Sequence, residues 1–303
     1  MMVRRDIMAL KCDLQYGKGE AAYKLTRVGV KGVRKPVIVH REGLGKTLNN
    51  SLNCSIDIFV DLPGSQKGSH MSRNVEVLNE VVLQSMSKPV TGIEDMAADM
   101  CKRLLVHHEY AQTADVKIVA EYFRHNVTPL GKDTFETYSL LGGAHIERDG
   151  VLLKKIGVKV IGMTACPCGQ QTVTEMLGYE GDLPVMTHNQ RNVCKLVLEC
   201  REGIDIEADD LIDLVEDSFS SPTYELLKRP DEGQVIINAH NKTKFVEDVV
   251  RGVLKRVVEK YKGLPDDVYV DVTSESEESI HKHNAFAQRE GTLGELRQEN
   301  DRF

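Results

Sequence analysis

Hydrophobic periodicity along this chain switches from two residues to three or four and back again, and it does so twice. In the first half, apolar and polar residues alternate through YKLTRVGVKGV and CSIDIFVDLP, where Ile56, Ile58 and Val60 share one face. Both stretches are expected as strands. Helical spacing follows in SRNVEVLNEVVLQSM, with Val75, Leu78 and Val82, and in GIEDMAADMCKRLLVHHEY, with Ile93, Met96, Met100 and Leu104; Pro89 separates the two. ADVKIVAEYFRHNV and TFETYSLLGGAHIERDG then return to strand. The second half repeats this order. GVLLKKIGVKVIGMTA and NVCKLVLECREG read as strands, EADDLIDLVEDSF and TKFVEDVVRGVLKRVVEKYKG as amphipathic helices, and DVYVDVTSE as a strand. In the longest helix Val246, Val249, Val250, Val253, Leu254, Val257 and Val258 form one stripe, and Gly263 with Pro265 supplies the stop. Each half thus reads strand, strand, helix, helix, strand, with room for a sixth element. Paired strands and paired helices, as opposed to strict alternation, predict an α+β fold on antiparallel sheet. The division falls at the Asp149-Gly150 turn, giving modules 1–149 and 150–303. The polar tail TLGELRQENDRF is expected to be loosely held.

Charge narrows the partners. Thirty-nine basic against 46 acidic residues give a net charge of -7, which argues against nucleic acid or an anionic membrane as a general partner. An anionic ligand would need locally gathered cations. No apolar run approaches the roughly 18 residues of a membrane span, and MMVRRDIMALKCD lacks the apolar centre of a secretory leader, so a cytoplasmic protein is expected. Seven cysteines, an odd number scattered through 303 residues, do not suggest a disulfide framework. They are expected as buried hydrophobes or ligands. GLGKT resembles the end of a phosphate loop, but His40 replaces its first glycine and no helical pattern follows, so it reads as a turn.

Four stretches are polar beyond what loops and helix starts require: TACPCGQ, MTHNQRN, KRPDEGQV with NKTKFVEDVVR, and SESEESIHKHNAFAQR. In the first, one residue separates Cys166 from Cys168. That spacing is too tight for a structural zinc knuckle, which needs a second pair that this chain lacks, and a C-x-C disulfide ring would be strained. One thiolate acting as ligand or nucleophile remains, beside the plainer reading of two cysteines opening a helix after a strand. A helix N-terminus would itself favour the thiolate. His188 sits among polar neighbours. His281 and His283 lie two apart, sharing a face in a strand but not in a helix. The ESEES run before them reads most simply as a solvated turn. Cysteine, histidine and glutamate drawn from distant stretches would suit an open site for zinc or iron(II).

Six motifs in order carry a resemblance: KGSHMSRN from Lys67, CPCGQ from Cys166, THNQRN from Thr187, KRPDE from Lys228, FVEDVVR from Phe245 and ESIHKHNAFA from Glu278. Together they resemble the GTP cyclohydrolases of the type IB and type IV family, and the forms TACPC and HNQR are closer to the archaeal type IV branch. The resemblance implies the tunnelling fold, two strand-strand-helix-helix-strand-strand units per chain, assembled as a homo-oligomer, expected to be a tetramer, with active sites at subunit interfaces. It implies hydrolytic opening of the GTP imidazole ring with loss of formate. The archaeal product would be 7,8-dihydroneopterin 2',3'-cyclic phosphate with release of diphosphate, for methanopterin synthesis; the bacterial alternative is the triphosphate. A non-catalytic purine- or metal-binding protein on the same fold is the alternative of a different class.

The resemblance also implies one divalent metal per subunit, iron(II) first and zinc or manganese as alternatives. Cys166 is carried over as a ligand, with His188, Glu232 and His281 as the expected others. His281 or His283 would serve as ligand or as the acid/base that moves protons to the ring nitrogens. Glu247 would anchor the guanine, since one carboxylate can accept from both N1–H and the 2-amino group. Lys67, His70, Arg73, Arg191, Lys228, Arg229 and Lys244 are the expected triphosphate contacts.

Overall fold

The alternating stretches become β1 (Leu25–Gly43), β2 (Lys46–Leu62), β3 (Thr113–Val127) and β4 (Asp133–Glu147), with α1 (Met71–Ser87) and α2 (Ile93–His107) between the two pairs. The second half contributes β5 (Leu153–Ala165), α3 (Pro167–Leu177), β6 (Asn189–Arg201), α4 (Ala208–Glu216), β7 (Ser221–Pro222), α5 (Arg229–Asn241), α6 (Val246–Lys260), β8 (Tyr269–Glu277), β9 (Ala285–Thr292) and α7 (Leu293–Asn300). This computed structural model describes residues 14–43 and 46–302. The amino-terminal MMVRRDIMALKC segment, with Cys12, and the tip of GLGKT at Leu44 and Gly45 lie outside the described residues; β1 and β2 lead into and out of that tip.

Among the described residues, one sheet runs β1-β2-β3-β4-β5-β6-β8-β9, with β7 joined to the end of β5, and every ladder is antiparallel. Alternation decides which face each side chain takes. Ile56, Ile58, Val116, Ile118, Leu140, Val158, Leu196, Leu198, Val270 and Val272 all point toward the helices and are buried. The helices cover that face alone, so the expected α+β class with antiparallel sheet and helices on one side is what the chain forms. Cys54, Cys101, Cys194 and Cys200 belong to this core, and burial pushes the thiols of Cys54 and Cys194 up to about 12 and that of Cys200 to about 11. They are hydrophobes in practice. The six cysteines of the described residues are all free thiols. Among the same residues no helix is long and apolar enough to cross a membrane.

The sheet is continuous across the Asp149-Gly150 turn, where the Gly150 amide bonds the Glu147 carbonyl at 2.9 Å and β4 pairs with β5. Side chains also cross it. Tyr138 and Tyr122, at helix-facing positions of the first half, donate to Glu216 (2.6 Å) and Asp209 (2.9 Å) on α4, and Arg124 reaches Asp213 at 2.5 Å. Burial holds the Glu216 carboxyl above the ordinary carboxylate range, opposed by the Tyr138 hydroxyl.

Three features depart from expectation. The second half inserts α3 between its first two strands and α5 before its long helix. The carboxyl-terminal tail is also held in place. Thr292 caps α7 in a box with Glu295, Leu293 and Leu296 are buried, and Arg297 donates to the carbonyls of Tyr261, Lys262 and Leu264 at 2.8 to 3.2 Å while pairing with Asp266. These carbonyls belong to the turn that follows α6, from its cap Tyr261 to Leu264. Arg297→Ala should therefore lower unfolding stability by about 1–3 kcal/mol, read as a shift in denaturant midpoint. An unshifted midpoint would return the tail to the loosely held state that its polarity suggests.

Candidate active site

Cys166 terminates β5 and caps α3. Pro167 follows at the first helical position, where its missing N–H is not needed, and the Cys166 sulfur accepts from the Gly169 amide at 3.3 Å. The sulfur is therefore held against the positive end of a helix, as the plainer helix-opening reading of the CPC turn also required. Backbone contacts tie this turn to THNQR. The Cys166 amide donates to the His188 carbonyl at 3.0 Å, and the Thr187 hydroxyl donates to the Cys166 carbonyl at 2.8 Å. A Cβ on Gly169 would stand 2.6 Å from the Thr187 hydroxyl oxygen, so only glycine lets the two segments approach this closely. A third tie, from the Lys244 amide to the Ala165 carbonyl at 2.9 Å, brings in the start of α6.

These ties surround a pocket of about 240 Å³ lined by Cys166, His188, Lys244, Glu247, Glu278, His281 and His283, with Gln190 and Ser276 in its floor. His281 and His283 sit in the bend between β8 and β9, neither on a strand nor on a helix, and their rings stack at 5.2 Å between centroids. His188 meets His281 edge-on at 6.3 Å. Its Nδ1 lies 3.0 Å from Gln190 Oε1 and 3.7 Å from Glu278 Oε2. Both acidic and basic partners are shielded, with side chains only 15% exposed for His188 and 10% for Glu278. Cys168 points out of the turn and is exposed.

A thiol, two imidazoles and a carboxylate on one wall form a donor set that suits a borderline divalent cation with an open position. The donors share the pocket without a ready-made shell: among the described residues no three His, Cys, Asp or Glu side chains stand close enough together to hold an ion. Glu278 was read as part of a solvated turn; the fold instead folds it inward beside His188. Glu232 shows the reverse. It is exposed on the first turn of α5 and does not line the pocket, and the acid that KRPDE buries is Asp231, which accepts from the Leu130 amide at 3.1 Å and moors α5 to the β3–β4 turn.

The expected cations are only partly gathered. Lys244 lines the pocket. Arg191 is exposed, one residue from Gln190 and so on the other face of β6, and Lys228 and Arg229 are exposed where α5 begins. Lys67, His70 and Arg73 lie together at the start of α1, outside this pocket. Their loop is built with care. The Lys67 and Gly68 amides donate to the carbonyls of Gly17 and Gln15, the Tyr16 ring lies 5.0 Å from that of His70, and Arg73 donates to the His107 carbonyl. Beneath, buried His108 bridges Asn74 and Tyr110, whose hydroxyl donates to Ser69. Burial, helped by the nearby Arg73 charge, pulls the His108 pKa down to about 4, so this ring is a neutral strut. A larger hollow of about 530 Å³ lies on the bare face of the sheet, but its charges are largely matched to one another, as in Arg27 with Asp115 and Lys155 with Glu199.

With this geometry in hand, the comparison with known families is decisive. The model of the family described as type I GTP cyclohydrolase folE2 matches residues 12–287. The chain belongs to that family. Among curated folE2-like relatives, GTP cyclohydrolase MptA 1 of Methanocella arvoryzae is 41% identical over 303 residues, covering 95% of each chain. GTP cyclohydrolase MptA of Methanocaldococcus jannaschii is 38% identical over 311 residues, covering 96% of this chain and 98% of its own. Among solved structures, uricase from Arthrobacter globiformis superposes with a TM-score of 0.51 at 6% identity over 88% of this chain and 93% of the other. That likeness speaks to architecture alone, and the architecture is the tunnelling fold.

Proposed function

We infer that this protein opens the imidazole ring of GTP by hydrolysis, with C8 leaving as formate, and that it does so in the archaeal branch of the pathway toward methanopterin. The observation that carries this reading is the convergence of Cys166, His188, Glu278, His281 and Glu247 on one pocket in a chain of the folE2 family. Adding water to GTP and expelling formate and diphosphate gives 7,8-dihydroneopterin 2',3'-cyclic phosphate; retention of the phosphates gives the triphosphate instead.

The residues that would hold a divalent ion, iron(II) first and zinc or manganese as alternatives, are Cys166, His188, His281 and Glu278. What such an ion supplies is Lewis acidity, which brings the pKa of a water down to around 7 at the point of attack. The protein supplies the rest. Glu247, free at the second position of α6, is placed to accept from N1–H and the 2-amino group of guanine, which fixes the purine and turns C8 toward the cysteine and histidines. His283, stacked on His281 and exposed to solvent on its other side, can pass protons between the ring nitrogens and water. Lys244 offers a cation to the phosphate end of the substrate. Lys67, His70 and Arg73 are presented by a rigid loop outside the pocket, and this separation supports a homo-oligomer, a tetramer by the family pattern, in which that loop completes the pocket of a neighbouring copy.

The experiment is anaerobic reconstitution with iron(II), zinc or manganese, followed by GTP turnover and mass analysis. Stoichiometric formate with a cyclic phosphate product is expected. A folded, metal-loaded protein that releases no formate would overturn the reading.

A further inference from the structure

Two residues of the pocket floor, Gln190 and Ser276, belong to a row of buried polar side chains where strand alternation would ordinarily place Val or Leu. Gln190 and Asn192 lie two apart on β6, and both face the helices. Ser274 and Ser276 do the same on β8, and Thr164 on β5 lies opposite Gln190 in the ladder. They form a continuous chain. Gln190 Nε2 donates to Thr164 Oγ1 at 3.3 Å, Thr164 Oγ1 lies 3.4 Å from Ser276 Oγ, Asn192 Nδ2 donates to Ser276 Oγ at 2.8 Å, and Ser274 Oγ donates to Asn192 Oδ1 at 2.7 Å. None of the five is more than 9% exposed. Burying this many polar groups is costly unless each is partnered, and here each is.

We propose that Gln190 is the positioning residue for His188: anchored from below by Thr164, it holds the proton on His188 Nδ1 and so leaves the Nε2 lone pair to face the pocket. Gln190 directs its amide nitrogen at Thr164, so the atom it presents to His188 Nδ1, at 3.0 Å, is the acceptor Oε1. The group next closest to that nitrogen is the Glu278 carboxylate at 3.7 Å, also an acceptor. With Oε1 at hydrogen-bond distance and the Glu278 carboxylate behind it, the neutral ring fits this site with its hydrogen on Nδ1. A histidine side chain free in water prefers Nε2–H, so the arrangement imposes a choice the side chain would not make alone. It also explains why an uncharged residue is used. A carboxylate buried at this depth would bring its own desolvation cost, whereas an amide satisfies one partner on each side.

The inference rests on the placement of His188 in the pocket read above, and it is tested without substrate. In metal-free protein carrying ¹⁵N-histidine, at alkaline pH, long-range nitrogen–proton correlations should show a protonated Nδ1 for the resonance that disappears in His188→Gln. A wild-type His188 protonated on Nε2 would overturn the proposal. In Gln190→Leu the tautomer should shift toward Nε2–H and zinc affinity, measured by chelator competition, should fall by about 10–100-fold. Gln190→Glu, which keeps an acceptor at the same place, should retain the Nδ1–H signal. A Leu variant with the wild-type tautomer and zinc affinity would remove Gln190 from the role. Failure of GTP turnover in the wild type would count against the proposed reaction and leave these readings unaffected.

Discussion

Cys166→Ser should abolish formate release from GTP while leaving the fold intact, and Cys168→Ser should leave most of it. The first residue caps α3 and its sulfur faces the pocket; the second lies two residues on and faces solvent. Serine is itself a good helix cap, so the substitution keeps the Gly169 contact and isolates the loss of the thiolate. Removing even a residue that merely supports a metal ligand costs about 10–100-fold, so loss of a ligand should exceed about 100-fold. Circular dichroism and denaturation midpoints should match the wild type. Equal losses in both variants would mean that the thiols act as a pair, and turnover surviving in Cys166→Ser would remove the cysteine from the chemistry.

Glu247→Gln should cost about 100-fold or more in kcat/KM for GTP and should erase the preference for GTP over inosine triphosphate, which lacks the 2-amino group. A hydrogen bond to a charged group contributes about 1.5–3 kcal/mol, and an amide can accept from only one of the two guanine donors while turning its own donor toward the other. The carboxylate sits at the second position of α6, among the described residues no ion pair competes for it, and a helix start favours it by only about 0.3–1 kcal/mol, so stability should barely change. Measured kcat/KM for the two nucleotides settles the point: an unchanged ratio would make Glu247 an ordinary helix-start acid.

Strands β1 to β6 and β8 and the four amphipathic helices were legible because burial writes its period into the chain: Ile56, Ile58 and Val60 alternate, and Val246 through Val258 recur at three and four. The elements that were not legible lack that period. No residue of α3 is buried, and α5 buries only Asp231, Val235 and Ala239, so neither has an apolar stripe to read. The tail helix buries just Leu293 and Leu296, yet its Thr292 and Glu295 were a readable capping signature that the polarity around them obscured. At the site, Cys166, His188, His281, Glu247 and Lys244 were legible as motif members. Glu278 and Gln190 stand in the same motifs but carried no assigned role, because a glutamate in a serine-rich run and a glutamine on a strand look like surface until the fold turns them inward. Glu232, a ligand the resemblance implies, lies exposed on α5 beside the inward-facing Asp231 and outside this chain's pocket. Lys67, His70 and Arg73 lie together at the start of α1, outside the pocket.

The hydrophilic row under the pocket also sets a limit on engineering this enzyme. Thr164, Asn192, Ser274 and Ser276 occupy core positions that aliphatic residues would fill with better packing, so any scheme that optimises thermal tolerance by hydrophobic core redesign will be drawn to these sites first. Such variants would gain rigidity in the sheet and lose the scaffold that aligns His188. In this protein the core positions with most room for aliphatic replacement and those proposed to align His188 are the same, so the trade-off between tolerance and activity falls on three adjacent strands.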